Sequence, residues 1–473
     1  MNTVWGQEDS GLYYFHSFMD FLYTLEDFFK QAESFVWGKP LLFLLIGGGL
    51  FFMLYSRFLP FRYLGHSINI LRGKYDSPEE KGEISHFQAL SGHLAATVGM
   101  GNVSGVALAI VAGGPGAIFW MWVSAFVGMA TKFFTCTLAV MYRGYDSEGQ
   151  IQGGPMYVIR EGMPKYFKPL AVFFAVAGFF GATPIFQANQ IVQVTREVLI
   201  RPLGWVEGNE FLVDLSLGMV IVFFAVLVIF GGIKRIGEVA SRLVPLMVVV
   251  YILSVLVIMI VNWSGVVDSF FLIFEDAFHA DAVLGGAVGA IVVEGAKRAA
   301  FSNEAGIGTA PMMHGAAKTD EPVREGLAAM LGPFIDTLVI CTMTALCILS
   351  TGVWTETGLD GISLTAKAFD VSIPYLGHYI LLACVLIFAF TTVFGFSYLG
   401  QKCLSFLVGV KYAKFFNYWY VAIILIGSVW SLDGVVSLIF VMYGLMAIPT
   451  MVSAIYLAPK VMQAAKVYFA KVE

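Results

Sequence analysis

The chain has 473 residues, 58% hydrophobic and 13% charged, with a mean hydropathy of +0.79. A soluble domain covers its surface with roughly a quarter charged residues. This composition therefore excludes a water-soluble globule and makes the bilayer the solvent. The net charge of −5 decides little by itself, because its distribution matters more than its sum. The five cysteines (Cys136, Cys341, Cys347, Cys384, Cys403) show no CxxC spacing and read as small buried residues.

In chain order, the first residues carry Glu8 and Asp9 without a basic start or apolar core, so no cleavable signal peptide is expected. Long apolar runs such as Leu41–Leu54, Phe211–Phe230 and Leu243–Val261 approach or reach the ~20 residues that cross the hydrocarbon. Eleven membrane spans are expected, near 39–57, 85–112, 116–142, 167–195, 211–231, 241–263, 282–312, 326–350, 376–400, 415–431 and 434–458. Phe61–Leu71 and Val266–Phe278 read as amphipathic helices lying on the two membrane surfaces.

Basic residues orient the spans. Nineteen Lys and Arg fall on the side of the C-terminal tail and five on the other. The N-terminus is thus expected outside and the C-terminus in the cytoplasm, in a cell (inner) membrane. The segment 264–281 agrees, with Asp268, Glu275, Asp276 and Asp281 and no Lys or Arg.

Three regions are expected. Residues 1–84 form an outer segment, an extra span and a cytoplasmic interfacial helix; 85–458 form a core; 459–473 form a cytoplasmic tail. The core divides into 85–263 and 282–458, each with five spans. An odd number of spans inverts the second half, as inverted-repeat transporters require.

The first core span holds Ala95-Ala96-Thr97-Val98-Gly99-Met100-Gly101-Asn102 near mid-membrane. Glycines two apart beside Thr and Asn propagate a helix poorly, each costing about 1 kcal/mol against alanine. A spacing of two argues against a glycine packing face, which repeats every four. A broken helix frees N–H groups for a carboxylate and carbonyls for a small cation. The seventh span echoes this as Ala305-Gly306-Ile307-Gly308-Thr309, preceded by the polar Ser302-Asn303-Glu304. Interruptions in corresponding helices of two halves point to a transporter's binding site.

These residues carry a resemblance. Thr97–Asn102, Ala112–Trp122, Gly128–Lys132, Gly153–Tyr157, Phe301–Gly306 and Gly395–Tyr398 together resemble the alanine or glycine:cation symporter family. The resemblance spans about residues 85 to 403. It implies an all-α, leucine-transporter-like fold that couples sodium to uptake of a small neutral amino acid. It also implies backbone contacts from Met100 and Gly101 to the substrate carboxylate. Thr97, Gly99, Asn102, Gln187, Asn189, Phe301, Ser302, Asn303 and Phe396 would complete the substrate site, Gln187 more than Asn189. Sodium would take the carbonyls of Ala95 and Val98 and the hydroxyls of Thr391 and Thr392. Phe396 stands where the family usually has tryptophan, leaving room for a side chain larger than alanine's. Thr135 and Gln401 stand where the family often has acids.

Lys132, Glu294, Lys297, Arg298 and Glu304 fall inside spans. Glu294 and Arg298, four apart, are expected to pair on one helix face. Glu304 is the candidate gate or coupling residue, and His93 a packed or helix-bonded histidine. A proton-coupled transporter using Glu304 or His93 is the nearest alternative. A membrane enzyme lacks support, since no HExxH or GxSxG is present. No organic cofactor, no nucleic-acid partner and a monomeric state are expected.

Overall fold

The computed structural model describes residues 5–77, 79–206, 208–278 and 287–472. Asp281 and the start of the 282–312 span, where the second half was expected to begin, lie outside them.

The principal helices run in chain order. They are α1 Trp5–Val36, α2 Lys39–Tyr55, α3 Leu64–Leu71, α4 His86–Thr97 and α5 Met100–Gly113. Next come α6 Gly116–Met141, α7 Pro155–Gly162, α8 Lys168–Gly181, α9 Ile185–Thr195 and α10 Glu210–Ile229. Then follow α11 Gly232–Val261, α12 Trp263–Ala277, α13 Ala287–Asn303, α14 Thr309–His314 and α15 Pro322–Ser350. The last are α16 Gly361–Ser372, α17 Gly377–Val408, α18 Phe416–Val429 and α19 Leu432–Val472. A two-stranded hairpin, β1 Gly144–Tyr145 and β2 Ile151–Gln152, joins α6 to α7.

Among the described residues six helical segments are long and apolar enough to cross a membrane, or nine if each of three bent pairs counts as one span. This shows an integral membrane protein, short of the eleven spans expected. Two of the shortfalls have plain causes. The helix α18 has only 14 residues, and the 282–312 span is cut by its own break and by the residues not described. Within the bent pair α11–α12 the axis turns by 99°, so α12 runs across α11 rather than continuing it. That is the geometry expected of a surface helix over 266–278. Asp276 on α12 accepts the Gly116 N–H at 2.7 Å, capping the start of α6 with a carboxylate where the helix dipole favours one.

The core lies along α6, which is mostly buried, and the middle of α17, buried from Thr391 to Ser397. Against α6 pack α2, α13 and the first part of α15; against α17 pack α4, α8 and α11. The start of α4 is set by a capping box, in which Gln88 N–H bonds Ser85 Oγ at 3.2 Å and Ser85 N–H bonds Gln88 Oε1 at 2.8 Å. Proline opens α7 and α15, where its missing N–H costs nothing. Below Pro333, α15 widens into a π-helical stretch, Phe334–Cys341, which turns Asp336 fully into the core.

Candidate functional site

The first break is where the glycine pattern placed it. The helix α4 ends at Thr97, α5 begins at Met100, and their axes differ by 45°. Val98 leaves helical geometry at ψ 95°, and Gly99 is extended at φ −166°, ψ −137°. The last carbonyls of α4 and the first N–H groups of α5 therefore lose their helical partners. Thr392 on α17 places its Oγ1 3.4 Å from the Ala95 carbonyl and 3.0 Å from Phe388 O of its own helix. A Cβ built on Gly99 would lie 2.5 Å from Thr392 Oγ1, so only glycine lets α17 approach the break this closely. Gly101 is less tight, with Ser302 Cα 3.3 Å from an added Cβ.

The Asn102 side chain staples this break to the second half of the chain. Its Oδ1 accepts the Gly99 N–H at 2.9 Å, and its Nδ2 lies 2.8 Å from Asp336 Oδ1, 3.1 Å from Asp336 O and 3.2 Å from Ser302 Oγ. Asp336 also accepts from Thr337 Oγ1 at 2.8 Å and from Ser302 Oγ, while Asn303 Nδ2 donates to Thr337 Oγ1 at 2.9 Å. All five side chains are buried. A carboxylate in so dry a place needs its lone pairs satisfied, and three donors do so.

The second break follows α13. Glu304 adopts a left-handed φ of 55°, Gly306 and Gly308 have φ 85° and 111°, and helix resumes at Thr309. The Glu304 carboxylate accepts from Tyr443 OH at 2.7 Å and from Thr309 Oγ1, and Thr450 Oγ1 donates to Ile307 O at 3.0 Å. Above this break Phe301 packs edge-on to Phe186, with ring centroids 4.9 Å apart, and also against Phe440.

A model of the "Sodium:alanine symporter family" matches residues 22–473. The chain belongs to that family. It is 41% identical to "Sodium/alanine symporter AgcS" of Methanococcus maripaludis, over 93% of this chain and 96% of that protein. It is 34% identical to "Probable sodium/glutamine symporter GlnT" of Bacillus subtilis, over 94% of this chain and 91% of the relative. Among solved structures, MhsT in complex with L-phenylalanine superposes with a TM-score of 0.58 at 12% identity, covering 82% of this chain and 99% of that one. That likeness shows a shared leucine-transporter-like fold.

Within this symporter-family chain the expected site residues divide. Thr97, Gly99, Met100, Gly101, Asn102, Phe301, Ser302 and Asn303 all lie at or between the two breaks, and Ala95, Val98 and Thr392 line the inner edge of the first. Gln187 is buried with its Oε1 lacking a partner among the described residues. Four residues carry other bonds. Thr97 Oγ1 bonds back to His93 O at 3.1 Å, and the Gly99 N–H is taken by Asn102. Asn189 Nδ2 bonds the carbonyls of Gly427 and Trp430, tying α9 to the end of α18. Thr391 Oγ1 bonds Phe388 O at 2.9 Å and lies against Met247 on α11. Phe396 is buried on α17, one residue after Gly395, whose added Cβ would meet Ala96 Cβ at 3.1 Å.

The ionisable residues behave in two ways. Glu294 pairs with Arg298 as the four-residue spacing implies, and Lys297 bonds Glu33 of α1. Lys132 is wholly buried against His93 Nε2, so His93 bonds another helix rather than its own. Sequence reasoning passed over Asp336. Its signal was available as the one acid in the apolar run from Leu331 to Leu349. It also passed over Glu325, His86 and His314, which meet inside the fold.

Proposed function

We propose that this chain is a secondary active transporter that takes up a small neutral amino acid together with sodium, by alternating access. Alanine or glycine is the leading substrate, with serine and glutamine next. The observation that carries this is the first break, where α5 starts with N–H groups outside helical bonding while Ala95 O and Thr392 Oγ1 stand together on the opposite side. Freed N–H groups at a helix start suit a carboxylate. A carbonyl and a hydroxyl suit a hard cation.

In this proposal Met100 and Gly101 bind the carboxylate. Gln187, whose carbonyl lacks a partner, takes the ammonium or a side-chain hydroxyl. Phe301 with Phe186 closes the outer side, and Phe396 bounds the side-chain pocket. Ala95, Val98 and Thr392 hold the sodium, with the neighbouring Thr391 hydroxyl bonded back to Phe388 O. Glu304 serves as gate or coupling residue. The family names support a transporter rather than an enzyme.

The same proposal places 85–263 and 282–458 as inverted repeats after an N-terminal region 1–84, with eleven spans and a tail 459–473. It sets the N-terminus outside and the C-terminus in the cytoplasm of the inner membrane, with the chain a monomer. A cavity of about 280 Å3 beside Asn189, Gln193, Arg196 and Trp430, flanked by Glu26 of α1, would then lie on the entry side.

The experiment is uptake of labelled alanine into proteoliposomes at fixed pH, with and without sodium, competed by a panel of amino acids. Sodium-dependent uptake displaced by small neutral amino acids is expected. Uptake unaffected by sodium but driven by a pH gradient would replace sodium with the proton. That outcome has one relative's name behind it, "Putative sodium/proton-dependent alanine carrier protein YrbD" of Bacillus subtilis, at 35% identity over 82% of this chain.

A further inference from the structure

Away from the transport site, three buried titratable side chains meet. Glu325 in the first turn of α15 has one carboxylate oxygen on His86 Nδ1 and the other on His314 Nδ1. Glu325 and His314 are 0% exposed and His86 is 1%. Both imidazoles keep an Nε2 with no hydrogen-bond partner among the described residues, and His86 Nε2 lies 4.0 Å from Asp76, a half-exposed carboxylate. The described residues offer no three-ligand metal arrangement, this triad included.

The placement matters more than the burial. His86 is the first residue of α4, the half-helix before the first break; His314 is the last of α14, the half-helix after the second. Their flanking segments also pair through backbone, with Glu83 N–H on Ala316 O at 2.9 Å and Lys318 N–H on Ile84 O at 2.6 Å. Glu325 therefore clamps the far ends of both broken helices to α15. Any motion that opens this face must part these contacts.

Two neutral imidazoles that each donate Nδ1–H leave the triad with a net buried charge of −1. One more proton on an Nε2 neutralises it and turns one contact into an imidazolium–carboxylate ion pair, with donor and acceptor both charged. Groups facing the triad tune that proton. Asp76 and Arg324 act on His86, and Arg143 and Cys136 act on Glu325. Lys132 stands one ring further on, through His93, whose ring centroid is 5.7 Å from that of His314.

We propose that His86, Glu325 and His314 form a proton-binding site, reached from the cytoplasm past Asp76, whose occupancy locks the inner face of the transporter closed. This rests on the transport function and orientation proposed above. The proton enters at His86 Nε2, and the covalent structure is unchanged. Acid inside the cell thus slows net uptake, while outside acid does not act through this site.

The test is sodium-driven alanine uptake into proteoliposomes with protein of known orientation, varying internal pH from about 5.5 to about 8 at fixed external pH, across the histidine range. Sodium-dependent alanine binding to the detergent-solubilised protein is measured alongside. The expected result is uptake about fivefold slower at the acid end, the factor that about 1 kcal/mol of added stabilisation of the closed inner face implies. Glu325→Gln and His86→Asn should bind alanine as the wild type does and lose this dependence. A wild-type profile that is flat with internal pH, or that follows external pH instead, overturns the proposal without needing any variant. So does a variant that binds alanine normally and keeps the dependence. Absence of sodium-dependent alanine binding in the wild type would instead sink the proposed function.

Discussion

At Gly99 one methyl group separates a working break from a blocked one. Alanine there would place Cβ 2.5 Å from Thr392 Oγ1. Because the contact is with the tip of a side chain, the protein can fold by rotating Thr392 away from Ala95. Gly99→Ala is therefore expected to leave expression and melting temperature near wild type and to raise the sodium concentration for half-maximal uptake about tenfold. Losing one ligand bond worth about 1.4 kcal/mol predicts that factor. An unchanged sodium dependence would remove Thr392 from the cation site. Asp336 poses the opposite problem. It is bonded by Asn102, Ser302 and Thr337, so removing its carboxylate takes the acceptor from the Ser302 and Thr337 hydroxyls and leaves Asn102 Nδ2 the weaker contacts to Asp336 O and Ser302 Oγ. Asp336→Ala should destabilise the protein by about 1–3 kcal/mol, the cost of buried neutral groups left without an acceptor. Asp336→Asn should be milder in thermal unfolding, because shape and one acceptor survive. Asn102 was legible as a helix breaker because glycine, threonine and asparagine misfit a helix locally. Its partner was not, because the 234-residue separation leaves no periodicity linking Asn102 to Asp336.

At the scale of elements, the two breaks are built by different means. The first uses an extended glycine; the second uses left-handed geometry at Glu304, Gly306 and Gly308. The small-Gly-large-Gly-polar echo was visible in both segments and does fall on both breaks. What it could not show is that a non-glycine residue takes the left-handed position, a strained choice that costs about 1–3 kcal/mol. Here Tyr443 and Thr309 hold its carboxylate in place. The threonine pair on α17 shows the same limit. Adjacent residues on one helix point about 100° apart, so only Thr392 meets α4, while Thr391 faces Met247. Thr392→Val should accordingly raise the sodium requirement sharply and Thr391→Val should leave it within about twofold, the scale of a bond back to its own helix. Equal effects, read as sodium titrations of uptake, would place both hydroxyls on the ion and count against the observed division.

For the whole molecule, composition alone settled the membrane class, yet α1 was not foreseen. Asp20, Glu26, Asp27, Lys30 and Glu33 interrupt its apolar residues and hide a 32-residue helix from a hydropathy scan. Those same charges bind α1 to the core. Glu33 bonds Lys297 on α13 and Ser437 on α19, Glu26 bonds Ser431, and Trp37 Nε1 donates to Phe440 O at 2.8 Å. Lys297 sits one turn before Phe301, and its ammonium also lies 4.9 Å from the Phe440 ring. The contact therefore joins α1 to the aromatic cluster of Phe301, Phe186 and Phe440. Magnitudes separate the pairs that matter. Lys297 and Glu33 are 13% and 15% exposed, whereas Lys30 is itself 43% exposed and is shared between Glu26 and Asp433, the latter 71% exposed. A charge-assisted bond in the first setting contributes about 1.5–3 kcal/mol, and an exposed pair usually under about 1 kcal/mol. Glu33→Gln should thus raise the substrate concentration for half-maximal uptake by about tenfold or more. Lys30→Gln should change it by less than about threefold. If the two variants shifted uptake kinetics alike, α1 would be a passive attachment. If only Glu33→Gln shifted them, the helix outside the expected core would be part of the closure that covers the substrate.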